Sequence, residues 1–305
     1  MPSVRLASFN VENLFARWRF RGDVDPAQAN KKGWIVDESL FMELGDEDKA
    51  ITAAAIEDVR ADVLALQEVE GLDTLKHFRD QFLGLAEYPH VAGIDGNDPR
   101  LIDVAVMSRF PIVHVRSYQH LPDPDLPVER VFSRDCLEVD VDAGGAVVTL
   151  FVNHFKSMAG GRAATRRRRV NQVAAVMQIV RARFGDAGDA PFAVLGDLND
   201  FPQRDQQGET ALGDLLAWEA VENVVDRLPE DERWTHYWDD KEEYRQLDYV
   251  LLSRHLAERL DGPPQIYRQG MPLRAVRYRG DRLRGVGWDR PKASDHCAVA
   301  VDLEL

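Results

Sequence analysis

The sequence predicts an α/β protein built on mixed β-sheets. Nine short runs are rich in β-branched residues, three stretches between them carry apolar residues at helical spacing, and one hairpin signal sets two strands antiparallel. The strand runs are VRLASFNV (4–11), VLALQEV (63–69), DVAVMS (103–108), IVHVRSY (112–118), CLEVDVD (136–142), VVTLFVNHF (147–155), FAVLGDLN (192–199), LDYVLLS (247–253) and CAVAVDLEL (297–305). CLEVDVD and VVTLFV flank AGG, which marks a hairpin. Helices are expected over 46–61 (Ile51, Ala55, Val59), over 73–84 (Leu75, Phe78, Phe82) and over 162–184, where Gly185 supplies the stop. Hairpins combined with helical crossovers give mixed sheets, not an all-parallel one. There is no repeat, low-complexity tract or linker, so residues 1–305 read as one domain with long loops at 16–45, 119–134, 200–246 and 270–294.

Composition narrows the function. A hydrophobic content of 45% supports a large core. No run of about eighteen apolar residues exists to span a membrane, and the first residues read as a strand, not a signal peptide. Cys136 and Cys297 lie in separate strands, as buried free thiols would. These features fit a cytoplasmic protein. The net charge of −14 disfavours a protein that coats nucleic acid. The charge is uneven, however. Residues 268–292 hold eight basic and two acidic side chains, a local balance of +6, and 166–169 is a run of four arginines.

The chemistry lies in polar residues at strand ends: Asn10 in SFNVEN, Glu68 in LALQEVE, Asn153 and His154 in VNHFKS, Asp197, Asn199 and Asp200 in VLGDLND, Asp248 in RQLDYVLL, and Asp295 and His296 in SDHCAV. Any one of these could cap a helix or close an Asx-turn. Six together demand more, because buried carboxylates are costly without a cation or hydrogen bonds to offset them. Mg²⁺ takes oxygen ligands, and Mn²⁺ and Ca²⁺ suit the same donors. Histidines beside carboxylates add acid–base capacity near neutral pH. Hydrolysis at phosphorus needs this mixture.

The segments SFNVENL, LALQEVE, IDVAVMSRFPI, VNHFKS, LGDLNDFP, LDYVLLS and SDHCAV resemble, in order and over the whole chain, those of the endonuclease/exonuclease/phosphatase superfamily. The resemblance implies a four-layer α/β/β/α sandwich of two mixed sheets, with the site at one edge. It implies Glu68 as the main Mg²⁺ ligand with Asn10 and Asp295 beside it, and Asp197 as the residue that orients or deprotonates water. Asn199 and His296 would contact phosphate, Asp248 would fix the His296 imidazole, and His154 would be a second histidine with Asp103 as its carboxylate partner. Ser294 would shape the turn or bond a neighbouring carboxylate. A tyrosine that nucleases of this family carry ahead of the strand at 103–108 is replaced near Leu101, where Arg100 would serve as a phosphate donor instead.

The expected activity is Mg²⁺-dependent hydrolysis of DNA or RNA phosphodiesters. The basic stretch 268–292 and Lys156, Arg162 and Arg166 are expected to line the rim and hold a polyanion. Trp288 and Tyr278 suit base stacking, although loop packing explains them equally. A small-molecule or lipid-headgroup phosphatase or phosphodiesterase is the alternative on the same site, and a metal-free scaffold is a third class that the intact site disfavours. No protein partner is expected.

Overall fold

The computed structural model describes residues 3–15, 18–20, 41–43, 46–205 and 208–305. Its strands are β1 (Ser3–Leu14), β2 (Trp18–Phe20), β3 (Phe41–Glu43), β4 (Val63–Val69), β5 (His90–Gly93), β6 (Asp103–Ser108), β7 (Ile112–Arg116) and β8 (Cys136–Asp142), followed by β9 (Val147–His154), β10 (Phe192–Asp197), β11 (Val221–Asn223), β12 (His236–Trp238), β13 (Glu243–Arg245), β14 (Asp248–Ser253), β15 (Gln265–Tyr267) and β16 (Ala298–Glu304). Two six-stranded sheets form, ordered β15-β16-β1-β4-β6-β5 and β11-β14-β10-β9-β8-β7. Each has one parallel pair, β1 with β4 and β9 with β10, among antiparallel neighbours. A parallel pair needs a crossover. Helix α1 (Asp46–Val59) lies in the first and helix α3 (Arg162–Phe184) in the second. Helix α2 (Gly71–Phe78) follows β4 and runs into one π turn, Arg79–Leu83, before Gly84 ends it.

Strand alternation builds the layers. Leu6, Ala65 and Val106 of the first sheet meet Leu150, Val152, Ala193, Leu195 and Val250 of the second in an inner core. The next residues along the same strands face outward. Ala7, Phe9, Leu64 and Met107 pack under Ile51, Ile56 and Val59 of α1 and Leu75 and Phe78 of α2. Phe151, Phe192, Val194 and Tyr249 pack under Val173, Val176 and Val180 of α3. Each such Val, Leu, Ile, Phe or Met side chain contributes about 1.5–3 kcal/mol by leaving water. The result is the four-layer α/β/β/α sandwich.

All nine expected strands and three expected helices are present; the strands at 63–69, 103–108 and 136–142 and the helix at 162–184 have the expected ends, and the others are shifted. The additional strands are short and lie at sheet edges or in loops. The expected loop over 16–45 falls mostly outside the described residues; β2 and β3 within it pair antiparallel. Both cysteines are free and buried. Among the described residues no helix is long and apolar enough to cross a membrane.

Candidate active site

Topology gathers the polar strand ends. Asn10, Glu68, His154 and Asp197 lie at the C-terminal ends of the parallel strands β1, β4, β9 and β10. Asp103, Asp248 and His296 begin or precede strands antiparallel to these, which places them at the same edge of the sandwich. A cleft of about 240 Å³ opens there, lined by Glu68, His154, Asp197, Asn199, Asp295 and His296 together with Arg100, Arg134, His236 and Trp238.

Glu68 owes its aim to a β-bulge. Gln67 pairs with Asn10 and Val104, Val69 pairs with Leu14 and Asp103, and Glu68 is the extra residue, at φ +67°. A left-handed backbone at a non-glycine residue costs about 1–2 kcal/mol. Its carboxylate is held by the Asn13 amide at 3.0 Å and the Asn10 side-chain amide at 3.4 Å. The same Asn10 Nδ2 donates to Asp197 Oδ2 at 3.1 Å, which ties the two sheets together. Asp197 also accepts from the Asn199 backbone at 2.8 Å and from its side chain at 2.9 Å. Gly196 is obligatory beside it, because a Cβ there would stand 1.9 Å from the Asn153 carbonyl oxygen.

The SDH turn is built inward. Ser294 Oγ donates to the Asn10 carbonyl at 2.7 Å and accepts from the His296 amide at 3.0 Å, so the hydroxyl shapes the turn. His296 Nδ1 lies 2.9 Å from Asp248 Oδ2, which also accepts from Thr235 Oγ1 at 2.7 Å. Its Nε2 faces Asp197 at 3.8 Å and Asp295 at 3.9 Å.

The electrostatics separate the two histidines. Burial pulls the His296 imidazole down, but Asp248, Asp197 and Asp295 outweigh it and hold the ring well above its ordinary value. His154 is pushed well below by burial, with Arg134, His296 and Arg100 adding to the effect, so it stays neutral. Its Nε2 stands 3.5 Å from Asp197 and 3.7 Å from Glu68. Burial raises the Asp197 carboxyl to about 7. Glu68 is raised by burial and then by the charge of Asp295. Glu68 and Asp295 are half-buried carboxylates that repel one another, and carboxylate oxygens are the donors a hard divalent cation takes. Asn10 presents its Nδ2 to Glu68 while its Oδ1 accepts the Glu12 amide at 3.0 Å, so it would offer an oxygen to such an ion only with the amide turned over. Two further trios could also hold a metal, His236–Asp295–His296 and Asp197–Asp248–His296.

Three expectations are corrected. Asp103 is not hydrogen-bonded to His154: its Oδ1 accepts from the Gly96 amide at 2.8 Å, and His154 Nδ1 has no partner among the described residues. Arg162 and Arg166 do not line the cleft. Arg162 donates to Asp200 and to the Phe201 and Gln203 carbonyls, and Arg166 is bound by Asp205 and Glu209. Most of the basic stretch is likewise engaged internally. Arg268, Arg277 and Arg282 donate to backbone carbonyls, Arg274 meets Asp289, and Arg290 and Lys292 pair with Glu12.

Arg100 does reach the cleft wall, oriented by Asp98. Lys156 is not among the residues that line the cleft; its amide donates to Gln172 at 2.9 Å. Asp200 is a structural anchor, fully buried and gripping Arg162 and Arg169 of α3. Tyr278 packs under the Arg282 guanidinium, whereas Trp288 is exposed.

Sequence reasoning passed over Arg134, His236 and Thr235. Arg134 is 1% exposed, ion-paired with Asp98 at 2.8 Å and donating to the Phe155 carbonyl at 3.1 Å. It lies in a loop, where an arginine gives no periodic signal. His236 and Thr235 sit in WTHYW, too short and too aromatic to read as a site.

The chain matches the Endonuclease/Exonuclease/phosphatase family over residues 7–296 and belongs to that family. Its members are hydrolytic phosphoesterases. Similar solved structures include a truncated Caenorhabditis elegans TDP2 (18% identity, TM-score 0.61, covering 99% of this chain and 98% of that one) and the human Nocturnin catalytic domain with bound sulfate (18%, 0.60, 99% and 94%). An endonuclease/exonuclease/phosphatase from Beutenbergia cavernae is also similar (18%, 0.64, 99% and 72%). At these identities the likeness shows the fold. No functionally curated protein matches the chain.

Proposed function

We propose that the protein is a Mg²⁺-dependent phosphodiesterase that cleaves nucleic acid by in-line attack of water. The observation that carries this is the placement of two buried histidines around one carboxylate: Asp197 Oδ2 stands 3.5 Å from His154 Nε2 and 3.8 Å from His296 Nε2. The carboxylates around His296 push its pKa up, and burial pushes that of His154 down. Environments that split titratable groups in this way assign acid, base and hydrogen-bond roles.

Bound at Glu68, Asn10 and Asp295, Mg²⁺ would polarise the phosphate and stabilise negative charge on the leaving oxygen. Asp197, raised to about 7, orients water and accepts its proton near neutral pH. The His296 imidazolium stabilises charge on the phosphoryl oxygens, and Asp248 keeps it charged. Neutral His154 and the Asn199 amide donate hydrogen bonds without adding charge. Arg100 binds a phosphate further along the strand, and Trp238 offers the cleft an aromatic face. TDP2 and Nocturnin share the fold, and the Nocturnin structure contains sulfate, an anion akin to phosphate.

A second reading has one observation in its favour. Because most arginines near the site are engaged internally, the rim supplies few cations for a long polyanion, which favours a small phosphodiester or phosphomonoester. A substrate panel separates the two. Plasmid DNA, single-stranded DNA, RNA, bis-p-nitrophenyl phosphate and p-nitrophenyl phosphate are incubated with Mg²⁺ or Mn²⁺, with and without EDTA. EDTA-sensitive cleavage of polymer that weakens as salt rises supports the first reading. Release from small esters with every polymer intact replaces it with the second.

A further inference from the structure

We propose that His236, Asp295 and His296 form a second cation site that takes a nitrogen-preferring divalent ion, Zn²⁺ foremost, and that filling it blocks the reaction. The inhibitory half rests on the function proposed above; the binding half does not.

His236 has no part in that mechanism, yet it is 92% buried in the wall of the cleft, 8% of its surface remaining exposed. Its ring lies 4.5 Å from the His296 ring, and the two residues are joined by a backbone bridge, so their spacing is fixed by main chain. Its Nδ1 has no partner among the described residues. Its Nε2 faces Asp295 Oδ2 at 3.8 Å, and His296 Nε2 faces Asp295 Oδ1 at 3.9 Å. One atom from each of the three residues lies within 4.8 Å of the others. Ligands about 2.0–2.1 Å from a tetrahedral ion stand roughly 3.3 Å apart. The observed spacings are therefore closed by small side-chain rotations.

The set supplies three donors to such an ion. Two imidazoles and one carboxylate are a familiar Zn²⁺ complement, with the fourth position left to water. His296 carries its outer-sphere partner already: Asp248, 2.9 Å from Nδ1, accepts that proton and leaves Nε2 as the donor to a metal. On the Glu68 side of the cleft the anionic donors are the Glu68 and Asp197 carboxylates, with a single imidazole nitrogen, His154 Nε2, 3.7 Å from Glu68, so that side keeps the preference for Mg²⁺ or Mn²⁺. The two sites share Asp295. An ion at His236 would draw that carboxylate away from the first site and would replace the proton on His296 Nε2, removing the hydrogen bond offered to phosphate.

The test is Zn²⁺ titration of the full chain against a chromogenic chelator, with Co²⁺ as a spectroscopic stand-in. Wild type should bind one Zn²⁺, and Co²⁺ should give the visible band of a four-coordinate site. His236→Phe, which keeps the ring against His296, should lower Zn²⁺ affinity at least tenfold, since losing even an outer-sphere partner costs about 10–100-fold. Glu68→Ala should leave it unchanged. In the activity arm, Zn²⁺ added over saturating Mg²⁺ should inhibit wild type at concentrations that His236→Phe tolerates, each measured against its own zinc-free rate. Equal Zn²⁺ affinity in wild type and His236→Phe, or loss of binding in Glu68→Ala alone, overturns the proposal. If no substrate is cleaved by any form, the functional reading fails while the binding arm still decides the site.

Discussion

Replacing Asp248 by asparagine should disable His296 without disturbing the fold. The Asp248 carboxylate is fully buried, 2.9 and 3.1 Å from His296 Nδ1 and 2.7 Å from Thr235 Oγ1. Asparagine keeps the shape and an acceptor for Thr235 but removes the charge. At about 4 Å and an effective dielectric near 20, that charge stabilises the imidazolium by roughly 4 kcal/mol. Asp197 and Asp295 remain near Nε2 and retain part of the effect. His296 should therefore titrate at a lower pH in the variant than in wild type, where the three carboxylates hold its pKa up. The assay pairs histidine NMR, which reads the ring directly, with a pH–rate profile. In the variant, kcat should fall about 10²–10³-fold at pH 8, with a smaller loss toward acid pH where the ring recharges. A variant in which His296 titrates as high as in wild type, or whose rate at pH 8 is unchanged, would refute the reasoning.

Three further outcomes are expected. Asp197→Asn should lower kcat at least 10³-fold while leaving cation affinity within about tenfold, because the residue serves the water and not the Glu68 site; calorimetry and turnover read the two separately. Gly196→Ala should destabilise the protein by more than about 2 kcal/mol, since a Cβ would stand 1.9 Å from the Asn153 oxygen at a φ of +130°; a denaturation midpoint within 1 kcal/mol of wild type would contradict the packing. Burial raises the Asp103 carboxyl to about 6, against about 4 in the unfolded chain, so the folded state binds more protons between these values. The contribution to stability is full below about pH 4 and is lost as pH rises through 6, so Asp103→Asn should show a shallower fall in Tm than wild type over pH 4–7.

Most of the site was legible because chemistry in this fold sits where apolar strands stop. Asn10, Glu68, His154 and Asp197 each interrupt a strand whose preceding residues are buried, and the parallel pairing of β1 with β4 and of β9 with β10 brings those interruptions to one edge. What stayed hidden depended on contacts distant in sequence. The arginines read as a substrate rim because their partners lie far away: Arg166 reaches Asp205 and Glu209, and Arg290 reaches Glu12 and Asp48. A charge run carries no mark of whether its counter-ions are internal. Asp103 lay at the right strand end, but its register turned it toward the Gly96 amide. The edge strands β5, β11 and β15 are three or four residues long, too few for alternation to show.

On the function proposed above, the Glu68 carboxylate holds the cation on which hydrolysis depends. The direct test measures Mn²⁺ binding by calorimetry and turnover of the best substrate in wild type and Glu68→Ala, each with saturating Mn²⁺ and with EDTA. One fewer bound cation is expected in the variant, with a loss of turnover of about 10³-fold or more and no wild-type turnover in EDTA. Turnover that survives both EDTA and Glu68→Ala would contradict it.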